Sequence, residues 1–410
     1  MIDLAYLRDH QESVRALILK KDPSFNVDLL ISLDVQLRHI RQQVEELRCK
    51  KNDLAQQAKS GVTPAIREQS IEISKQLKSH EEQMSVIEEQ FNEIYLGCPN
   101  LLQSDVQEGG KAQNKAVTIV GEKKQFLFTP QNHLTLGERL GWFDFAAATK
   151  MSAGNFALYK GEAVKLMYAL TTMMLKNNIK HGFEPILPPY LVNEQALISS
   201  SNFPRFKDQV YKVPEDGLYL TPTAEVNLTS LYRDQILASD TLPIRMTAWT
   251  SCFRREAGGY GATERGLIRI HQFEKVELYT VCTPEQAQEE HERMLTCTQD
   301  ILNQLGLHYR ISLLAAQDCS FASSKTFDIE VWLPGQDEYY EVSSVSNCTD
   351  FQSRRAAIRY RAVAGEKPRL VYTLNGSSLA LPRLVVALME TYQQEDGSIA
   401  LPDSIKQFML

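Results

Sequence analysis

A glycine-rich stretch of the chain, "FRREAGGYGATERGLIRIHQFEKVE", begins at Phe253 and concentrates side chains that could bind a nucleotide. On a β-strand, residues separated by an even number project from the same face. If the stretch forms a hairpin, one face carries two arginines, two carboxylates and an aromatic ring: Arg254, Glu256, Arg269, Phe273 and Glu277. Such a face suits a ligand that combines phosphates, a flat base and an amine. Without further support, Arg254 and Glu256 would be a surface ion pair and Phe273 a core residue.

Three other segments could complete a site of this kind. In "LTPTAEVNL", Thr223 and Glu225 would share a strand face and could hold an ammonium group, although "TAE" alone is more typical of a helix start. The prolines of "HGFEPILPPYLV" predict an extended edge segment. The pair "EVSSVSNCTDFQSRR" and "NGSSLALPR" predicts an acidic, hydroxyl-rich strand and then a strand-to-helix corner that bears Arg383.

Composition and missing motifs exclude several other classes of function. The sequence has no G-x-x-x-x-G-K-[ST] phosphate loop, and "GGYGATERG" lacks the third glycine of the dinucleotide fingerprint. Seven cysteines, an odd number without a C-x-x-C pair, indicate reduced thiols in a cytosol and argue against zinc. No apolar run is long enough for a membrane helix, and the opening residues lack a signal-peptide pattern. A net charge of −7 restricts any nucleic-acid binding to a local basic patch.

Two heptad patterns between residues 27 and 96 predict a long helical hairpin. Apolar residues recur at steps of four and three from Leu33 to Ala58, and again from Ile66 to Ile94 beyond a Gly-containing turn. Pro64 suits the start of the second helix. An antiparallel arrangement pairs Leu47 with Leu77, Ile40 with Met84 and Leu33 with Phe91. The pattern alone favours a structural arm or a dimerising coiled coil.

The charge of this hairpin is uneven along its length. Residues 48–78, around the turn, hold seven Lys or Arg and three Asp or Glu, whereas residues 79–95 hold five Glu and no Lys or Arg. A solvated helix face usually mixes the two signs, so this polarity indicates an anionic partner near the tip. The candidate contacts are Arg48, Lys50, Lys51, Lys59, Lys75 and Lys78.

Beyond the hairpin, the sequence predicts an α+β domain with an antiparallel sheet. Strand-like runs come as neighbours punctuated by glycine rather than in strict βαβ order. Residues 101–135 lose the heptads and gain Gly, Asn and Gln, so we interpret them as a linker. It would join an N-terminal domain at 1–100 to a larger domain at 136–410, as the chain length of 410 residues allows.

Together these segments resemble the three motifs of the class II aminoacyl-tRNA synthetases. The twin-proline segment, "FRRE…RGLIRIHQFEKVE" and "NGSSLALPR" are similar to the first, second and third motif. The helical arm, "TPTAEV", "RGLIRIHQFEKVELY" and "EVSSVSNCTDFQSRR" closely resemble seryl-tRNA synthetases of the bacterial type, over essentially the whole chain. The resemblance implies a class II catalytic domain with an N-terminal two-helix arm. It also implies activation of L-serine by ATP and transfer of the seryl group to the 3′ end of serine tRNA.

The resemblance assigns roles to the motif residues. Arg254 would bridge the α-phosphate and the serine carboxylate, and Arg383 would lie over the adenine or reach the γ-phosphate; both would be catalytic. The serine subsite would comprise Thr223, Ala224, Glu225, Arg254, Glu277 and Ser377, with the last two reading the hydroxyl. The ATP subsite would comprise Arg254, Arg255, Glu256, Arg269, Ile270, Phe273, Glu341, Val342, Ser343, Ser344 and Arg383. Mg²⁺ would be held by Glu341 and Ser344, and no zinc is expected.

The same resemblance implies partners and a location. The expected partners are ATP, L-serine, serine tRNA gripped by the arm, selenocysteine tRNA, and a second copy of the chain bound through residues 181–192. The loop 258–266 would meet the acceptor end of the tRNA, and the protein would be cytoplasmic without a membrane association. Ser378, where glycine is usual, Arg255, where serine is common, and the loop sequence depart from the family pattern, which leaves loop dynamics and rate open.

Three other interpretations account for only part of the sequence. A synthetase-like ligase that loads a carrier protein would lack a long arm and would use a zinc-bound pocket. A regulatory paralogue without catalysis would have lost motif arginines, yet Arg254, Arg269 and Arg383 are all present. A coiled-coil scaffold would leave the C-terminal motifs unexplained.

Overall fold

The computed structural model describes residues 1–59, 61–257, 266–363 and 365–410. The chain divides into two compact units, one of residues Gln11–Cys98 and one that combines Met1–His10 with Pro99–Leu410. Except for Gly266, the glycine-rich loop expected to meet the tRNA acceptor end lies outside the described residues.

The smaller unit is a long helical hairpin preceded by a shorter helix. After α1 (Leu4–Asp9), which belongs to the larger unit, come α2 (Gln11–Lys21), α3 (Val27–Ala58) and α4 (Pro64–Leu96). Both long helices have side-chain caps: Asn26 accepts from the backbone N–H of Leu29, and Thr63 accepts from that of Ile66. Pro64 occupies the first turn of α4, where its missing N–H costs nothing.

The heptad seam forms as an antiparallel pair of helices. Leu47 and Leu77 lie in one apolar cluster with Val44, and Ile73 and Met84 pack against it. Two ion pairs cross between the helices, Arg41 to Glu88 at 2.5 Å and Arg48 to Glu81 at 2.9 Å. Their members lie one heptad apart on each helix and run in opposite directions, as an antiparallel coiled coil requires.

The larger unit is built on an eight-stranded sheet whose order is β1-β9-β10-β11-β14-β8-β7-β2. Neighbouring strands are antiparallel except β2, which pairs parallel to β7 at the edge. The strands are β1 (Lys115–Val120), β2 (Glu184–Ile186), β7 (Ile244–Phe253), β8 (Gln272–Cys282), β9 (Tyr309–Leu313), β10 (Lys325–Leu333), β11 (Glu338–Asn347) and β14 (Tyr372–Ala380). This architecture confirms the predicted antiparallel α+β class.

Helices and two small sheets surround this main sheet. The helices are α5 (His133–Leu140), α6 (Phe145–Met151), α7 (Glu162–Lys180), α8 (Glu194–Ser199), α9 (Ala224–Leu231), α10 (Ala287–Gln304), α11 (Phe351–Ala356), α12 (Leu381–Tyr392) and α13 (Asp403–Lys406). The small sheets comprise β3 (Leu191–Val192), β4 (Lys212–Val213) and β5 (Leu218–Leu220), and β6 (Ile236–Ala238), β12 (Arg359–Arg361) and β13 (Arg369–Leu370). The largest core cluster joins α7 and α12 to the sheet.

Residues 101–135 differ from the linker that the sequence predicts. Their residues 115–120 form β1, which pairs antiparallel with β9 and so becomes an edge of the main sheet. The side chains of β1 are almost all exposed, so the strand has no apolar alternation to reveal it. Backbone hydrogen bonding joins β1 to the sheet, and Leu102 and Val106, earlier in the segment, are buried in an apolar cluster with Leu314.

All seven cysteines are free thiols, and six of them are buried. Cys49 on α3 is exposed. Across the described ranges, no helix combines the length and apolarity that crossing a bilayer would require.

Candidate active site

One cavity of about 390 Å³ in the larger unit gathers most of the predicted site residues. Those that line it are Thr223, Glu225, Arg254, Glu256, Arg269, Ile270, Phe273, Glu277, Glu341, Val342, Ser344, Ser377 and Arg383. Three predicted residues lie elsewhere: Ala224 is fully buried, Arg255 is exposed, and Ser343 donates to the backbone oxygen of Ser377 at 2.5 Å. The cavity is also lined by Lys275 and Asn375, which the sequence did not single out.

Strand parity explains only part of how the second motif builds this cavity. Strand β7 ends at Phe253, so Arg254 and Glu256 lie beyond it, and Arg269 precedes the start of β8 at Gln272. The prediction that all five side chains share one strand face was therefore wrong, although all five reach the cavity. Within β8, Phe273 and Glu277 do follow the even spacing.

Glu256 has a backbone φ of 49°, in the left-handed region that residues other than glycine seldom adopt. Its Oε2 lies 2.7 Å from Nε of Arg269. The left-handed turn thus takes the chain out of the β7 direction while the carboxylate stays at the cavity wall. Such a conformation costs roughly 1–3 kcal/mol and is concentrated at functional sites.

Arg254 is held at the cavity by its backbone and by its side chain. Its N–H donates to the oxygen of His271 at 2.9 Å, and its Nε donates to the oxygen of Pro222 at 3.3 Å. Its guanidinium carbon lies 5.1 Å from the centroid of the Phe273 ring. The cation therefore stacks beside a flat apolar platform, an arrangement that favours both charge and aromatic recognition.

Thr223 and Glu225 do not share a strand face, because Thr223 is the N-cap of α9 and Glu225 lies in its first turn. The prediction of a strand here was wrong, and the alternative of a helix start is correct. The Thr223 hydroxyl accepts from the Glu225 N–H at 3.3 Å, as N-cap residues do. Both side chains still face the cavity.

The Glu225 carboxylate is stabilised by two amide donors that lie outside the predicted site. Its Oε1 accepts from Gln352 Nε2 at 2.6 Å and from Asn375 Nδ2 at 3.1 Å. Burial, together with the nearby negative charge of Glu277, raises the pKa of Glu225 to about 7. A cationic ligand at this carboxylate would favour its ionised form.

Strand register brings Ser377 to Glu277. In the pairing of β14 with β8, Ser377 lies directly opposite Glu277. The Thr223 hydroxyl donates to Glu277 Oε2 at 3.3 Å, and Lys275 forms an ion pair with the same oxygen. Cross-strand partners on one face have neighbouring side chains, so three elements converge on one end of the cavity.

The third motif forms the predicted strand-to-helix corner, and Arg383 lies in the first turn of α12. Its Nη1 donates to the backbone oxygen of Glu341 at 2.8 Å and lies 3.3 Å from Glu341 Oε2. Its guanidinium carbon lies 5.3 Å from the Tyr340 ring centroid. Ten of the twelve residues of α12 are buried, so this arginine extends from a rigid support.

The oxygen-rich end of β11 fits a hard cation only in part. Glu341 and Ser344 both line the cavity and offer the oxygen ligands that Mg²⁺ prefers. Within the described ranges, no group of three or more His, Cys, Asp or Glu side chains is placed to hold a metal. Since Mg²⁺ commonly keeps waters and binds substrate phosphates besides one or two carboxylates, this sparse donor set suits a nucleotide-bound Mg²⁺.

Asp328 supports this end of the cavity and was missed by sequence reasoning. It lies opposite Ser344 in the pairing of β10 with β11, and the Ser344 side chain is hydrogen-bonded to it. Burial and the nearby charge of Glu341 raise the pKa of the Asp328 carboxyl well above its usual range. Its Oδ1 atom is buried and has no hydrogen-bond partner among the described residues.

A buried polar network connects α7 to the strands β7, β8 and β14. Asn178 of α7 accepts from the Ser378 hydroxyl at 2.8 Å and donates to Thr247 Oγ1 at 2.9 Å. The Thr247 hydroxyl donates to the backbone oxygen of Glu277 at 2.9 Å. Ser378, which departs from the family pattern, therefore has a defined partner. The network fixes backbone on both sides of the Ser377–Glu277 pair.

The basic candidates on the hairpin are exposed side chains: Arg48, Lys50, Lys51, Lys59, Lys75 and Lys78. Arg48 differs from the others because it pairs with both Glu45 and Glu81, at 2.7 and 2.9 Å. Its charge is partly neutralised within the hairpin, so the lysines contribute more of the positive potential near the turn.

Known proteins of one family match this chain over both units. Residues 1–102 match the family model "Seryl-tRNA synthetase N-terminal domain", and residues 209–392 match "tRNA synthetase class II core domain (G, H, P, S and T)". A serine–tRNA ligase of Dehalococcoides mccartyi is 40% identical over 100% of this chain and 98% of the relative.

Two solved structures extend the comparison. The crystal structure of seryl-tRNA synthetase from Pyrococcus horikoshii complexed with ATP has a TM-score of 0.91 and 32% identity, and covers 100% of this chain and 98% of that one. M. kandleri SerRS, solved in complex with A. aeolicus tRNASec, has a TM-score of 0.61 and 17% identity over 82% of this chain and 69% of that one. At that identity the second likeness shows the fold alone.

Proposed function

The chain belongs to the seryl-tRNA synthetase family and is a serine–tRNA ligase, and we propose that the cavity of its larger unit binds serine and ATP for the first step. In that step the serine carboxylate attacks the α-phosphate of ATP, giving seryl-adenylate and pyrophosphate. The ribose hydroxyl at the 3′ end of serine tRNA then attacks the carbonyl of the adenylate, which forms the seryl ester and releases AMP. The observation that carries the site assignment is the meeting of Glu277, Ser377 and Thr223 at one end of the cavity that Arg254 also lines.

The serine subsite comprises Thr223, Ala224, Glu225, Arg254, Glu277 and Ser377. Glu225 pairs with the amino group, Arg254 with the carboxylate, and Glu277 with Ser377 reads the hydroxyl. Ala224 shapes the subsite through its backbone, since its side chain is fully buried. A site built to bond a hydroxyl discriminates strongly against alanine, because its buried polar groups would be left unpaired.

The ATP subsite extends from Phe273 toward β11. Phe273 supports the adenine, Glu256 accepts from its amine, and Arg383 covers it or reaches the γ-phosphate. Arg269 faces the β- and γ-phosphates once ATP competes with Glu256 for its guanidinium. The remaining members contribute by side-chain contact or through their backbone: Arg255, Ile270, Glu341, Val342, Ser343 and Ser344. Mg²⁺ would be held by Glu341 and Ser344, where it would supply positive charge beside the phosphates.

The first step needs positioned charge rather than a strong base. A carboxylate is already a nucleophile, so catalysis consists of in-line placement and neutralisation of phosphate charge. Arg254 and Arg383 are therefore the catalytic residues. His271 has no catalytic role in this scheme. Its ring is instead bonded to the backbone oxygen of Arg254 at 2.9 Å, where it supports that arginine.

For the second step, residues 1–100 form the tRNA-binding domain. The exposed basic side chains near the hairpin turn bind the tRNA backbone, and recognition is mainly of phosphate and RNA shape. The fold shared with the M. kandleri protein that binds tRNASec motivates testing selenocysteine tRNA as a second substrate. The active protein is a cytoplasmic homodimer that associates through residues 181–192.

The site assignment is tested by replacing Glu277 or Ser377 with alanine and measuring ATP–pyrophosphate exchange. Either change should raise the KM for serine far more than the KM for ATP, because these side chains contact only the amino acid. Equal effects on both substrates would contradict the assignment. Serine-dependent exchange also separates this protein from a carrier-protein ligase or a non-catalytic paralogue.

A further inference from the structure

Strand β8 presents a third side chain to the cavity between Phe273 and Glu277. Lys275 has the same parity as both neighbours and lines the same cavity. Lys275 is only 6% exposed. Lysine is almost never buried in this way without a partner. A buried ammonium at the serine end of the site must therefore be stabilised by neighbouring side chains.

The Lys275 ammonium contacts two side chains of the proposed serine subsite, Glu277 and Thr223. Its Nζ forms an ion pair with Glu277, whose residue is 2% exposed, and donates to Thr223 Oγ1 at 2.7 Å. The Thr223 hydroxyl in turn donates to Glu277 Oε2 at 3.3 Å. Lys275, Thr223 and Glu277 thus form a closed triangle, in which each member contacts the other two.

Within this triangle the charge of Glu277 is balanced by that of Lys275. Glu277 is ion-paired directly with Lys275, while Glu225 accepts hydrogen bonds from the neutral amides of Gln352 and Asn375 and also feels the charges of Lys275 and Arg254. The two carboxylates therefore offer different subsites. A cationic group of the ligand can pair with Glu225, whereas Glu277 is already paired with Lys275. In a region of low dielectric, a second cation beside Lys275 would be repelled strongly.

We propose that Lys275 is a specificity-determining positioning residue, which fixes the Glu277 carboxylate and reserves it for a neutral hydrogen-bond donor. This inference rests on the proposed assignment of Glu277 to the serine hydroxyl. A hydroxyl brings a proton to the carboxylate without adding charge, so it fits beside Lys275. An amino acid with an ammonium in place of the hydroxyl is excluded by like-charge repulsion, a repulsive device of the kind that specific sites use.

The test compares L-serine with L-2,3-diaminopropionate, which replaces the hydroxyl by an amino group. ATP–pyrophosphate exchange is measured for the wild-type protein and for Lys275→Met, a chain of similar length without charge. The ratio of kcat/KM for serine over diaminopropionate should fall by about tenfold or more in Lys275→Met, because Glu277 is left without its cation. The KM for ATP should stay near its wild-type value.

Two further variants keep the inference testable if Lys275→Met folds poorly. Lys275→Arg retains the cation and should retain the preference for serine. Lys275→Met combined with Glu277→Gln removes both charges, so it avoids an unpaired buried carboxylate and should show no gain for diaminopropionate. Non-additivity between the single and double variants measures the coupling of the two side chains.

The outcomes separate this inference from the site assignment on which it rests. The inference is supported if the preference for serine over diaminopropionate falls in Lys275→Met and is retained in Lys275→Arg. An unchanged ratio in Lys275→Met, with a clear rise of the serine KM in Glu277→Gln, overturns the role of Lys275 and leaves the site assignment standing. A serine KM that is unaffected in Glu277→Gln overturns the assignment and this inference together.

Discussion

The protonation state of Glu225 should govern serine binding. Its pKa is raised to about 7 by burial and by the charge of Glu277, and its ionised form is the one that pairs with the amino group of serine. The ionised fraction should fall from about nine tenths at about pH 8 to just under about one tenth at about pH 6, so the serine KM should rise by up to about tenfold.

Steady-state exchange assays across that range, with ATP saturating, measure this effect. The ATP KM serves as the internal control and should change much less. Glu225→Gln should have a high serine KM with little dependence on pH. A wild-type serine KM that stays level between the two pH values would contradict the role given to Glu225.

Asp328 should support Ser344 at the proposed Mg²⁺ position. Asp328→Asn keeps the shape but changes the hydrogen bonding of a group next to the proposed Mg²⁺ position. Losing such a supporting partner typically weakens metal affinity by about ten- to a hundredfold. Binding of Mn²⁺ in the presence of ATP, followed by electron paramagnetic resonance, measures it independently of turnover. The exposed Glu338→Gln on the same sheet is the control, and equal Mn²⁺ affinities in all three proteins would exclude the role.

Sequence reasoning found most side chains that line the cavity but missed those that support them. Arg254, Phe273 and Arg383 were found because motif spacing identifies them. Gln352, Asn375 and Asp328 act through contacts between segments distant in sequence, which no local pattern records. Lys275 is different, since its even spacing from Phe273 and Glu277 was present in the sequence. Its role was hidden because a lysine in a strand is ordinarily a solvated residue.

Helix α7 supports the elements of the site through Asn178, which bonds to β7 and β14. Asn178→Ala should destabilise the fold by roughly 1–3 kcal/mol, because the buried hydroxyls of Ser378 and Thr247 each lose a partner. Urea unfolding measures the loss. Ser378→Gly should cost less, because Asn178 Oδ1 keeps its contact with the Cys297 thiol at 3.2 Å. Unfolding midpoints that are equal for wild-type and Asn178→Ala would show that the network contributes nothing to stability.

The elements themselves were predictable where periodicity is strong. The helices α3 and α4 follow the heptads closely, and the strands β9, β10, β11 and β14 form in the part of the chain where strand-like runs were predicted. Strand β1 could not be found in this way, because its side chains are exposed and only its backbone joins the sheet. The helix start at Thr223 was visible as a capping residue, but the even spacing to Glu225 suggested a strand instead.

For the whole molecule, the two units should be separable in function. Deleting residues 36–90 and inserting a short turn should leave serine-dependent pyrophosphate exchange largely intact, because the proposed cavity lies wholly within the larger unit. Charging of serine tRNA should fall sharply and become less selective. Charging by the full chain should also weaken as salt rises, as expected for phosphate contacts. If the truncated protein charged serine tRNA as well as the full chain does, the hairpin would have only a structural role.

Association of two chains can be tested at the edge of the sheet. Leu187 is 76% exposed and Leu191 is 43% exposed, next to the edge strand β2. Leu187→Asp should weaken the proposed homodimer, because a charge would replace apolar contact surface. Sedimentation velocity measures the shift toward monomer. Val62→Asp, at a residue 70% exposed in the other unit, is the control and should sediment as the wild-type protein does.

The distribution of thiols has a practical consequence for following the tRNA. Cys49 is exposed while the other six cysteines are buried, and Cys49 is flanked in sequence by Arg48 and Lys50. A maleimide fluorophore should therefore label the native chain at one position without any engineered substitution. That position lies among the basic residues proposed to grip the tRNA. A change in emission on adding serine tRNA would report occupancy of the hairpin separately from any chemistry in the cavity.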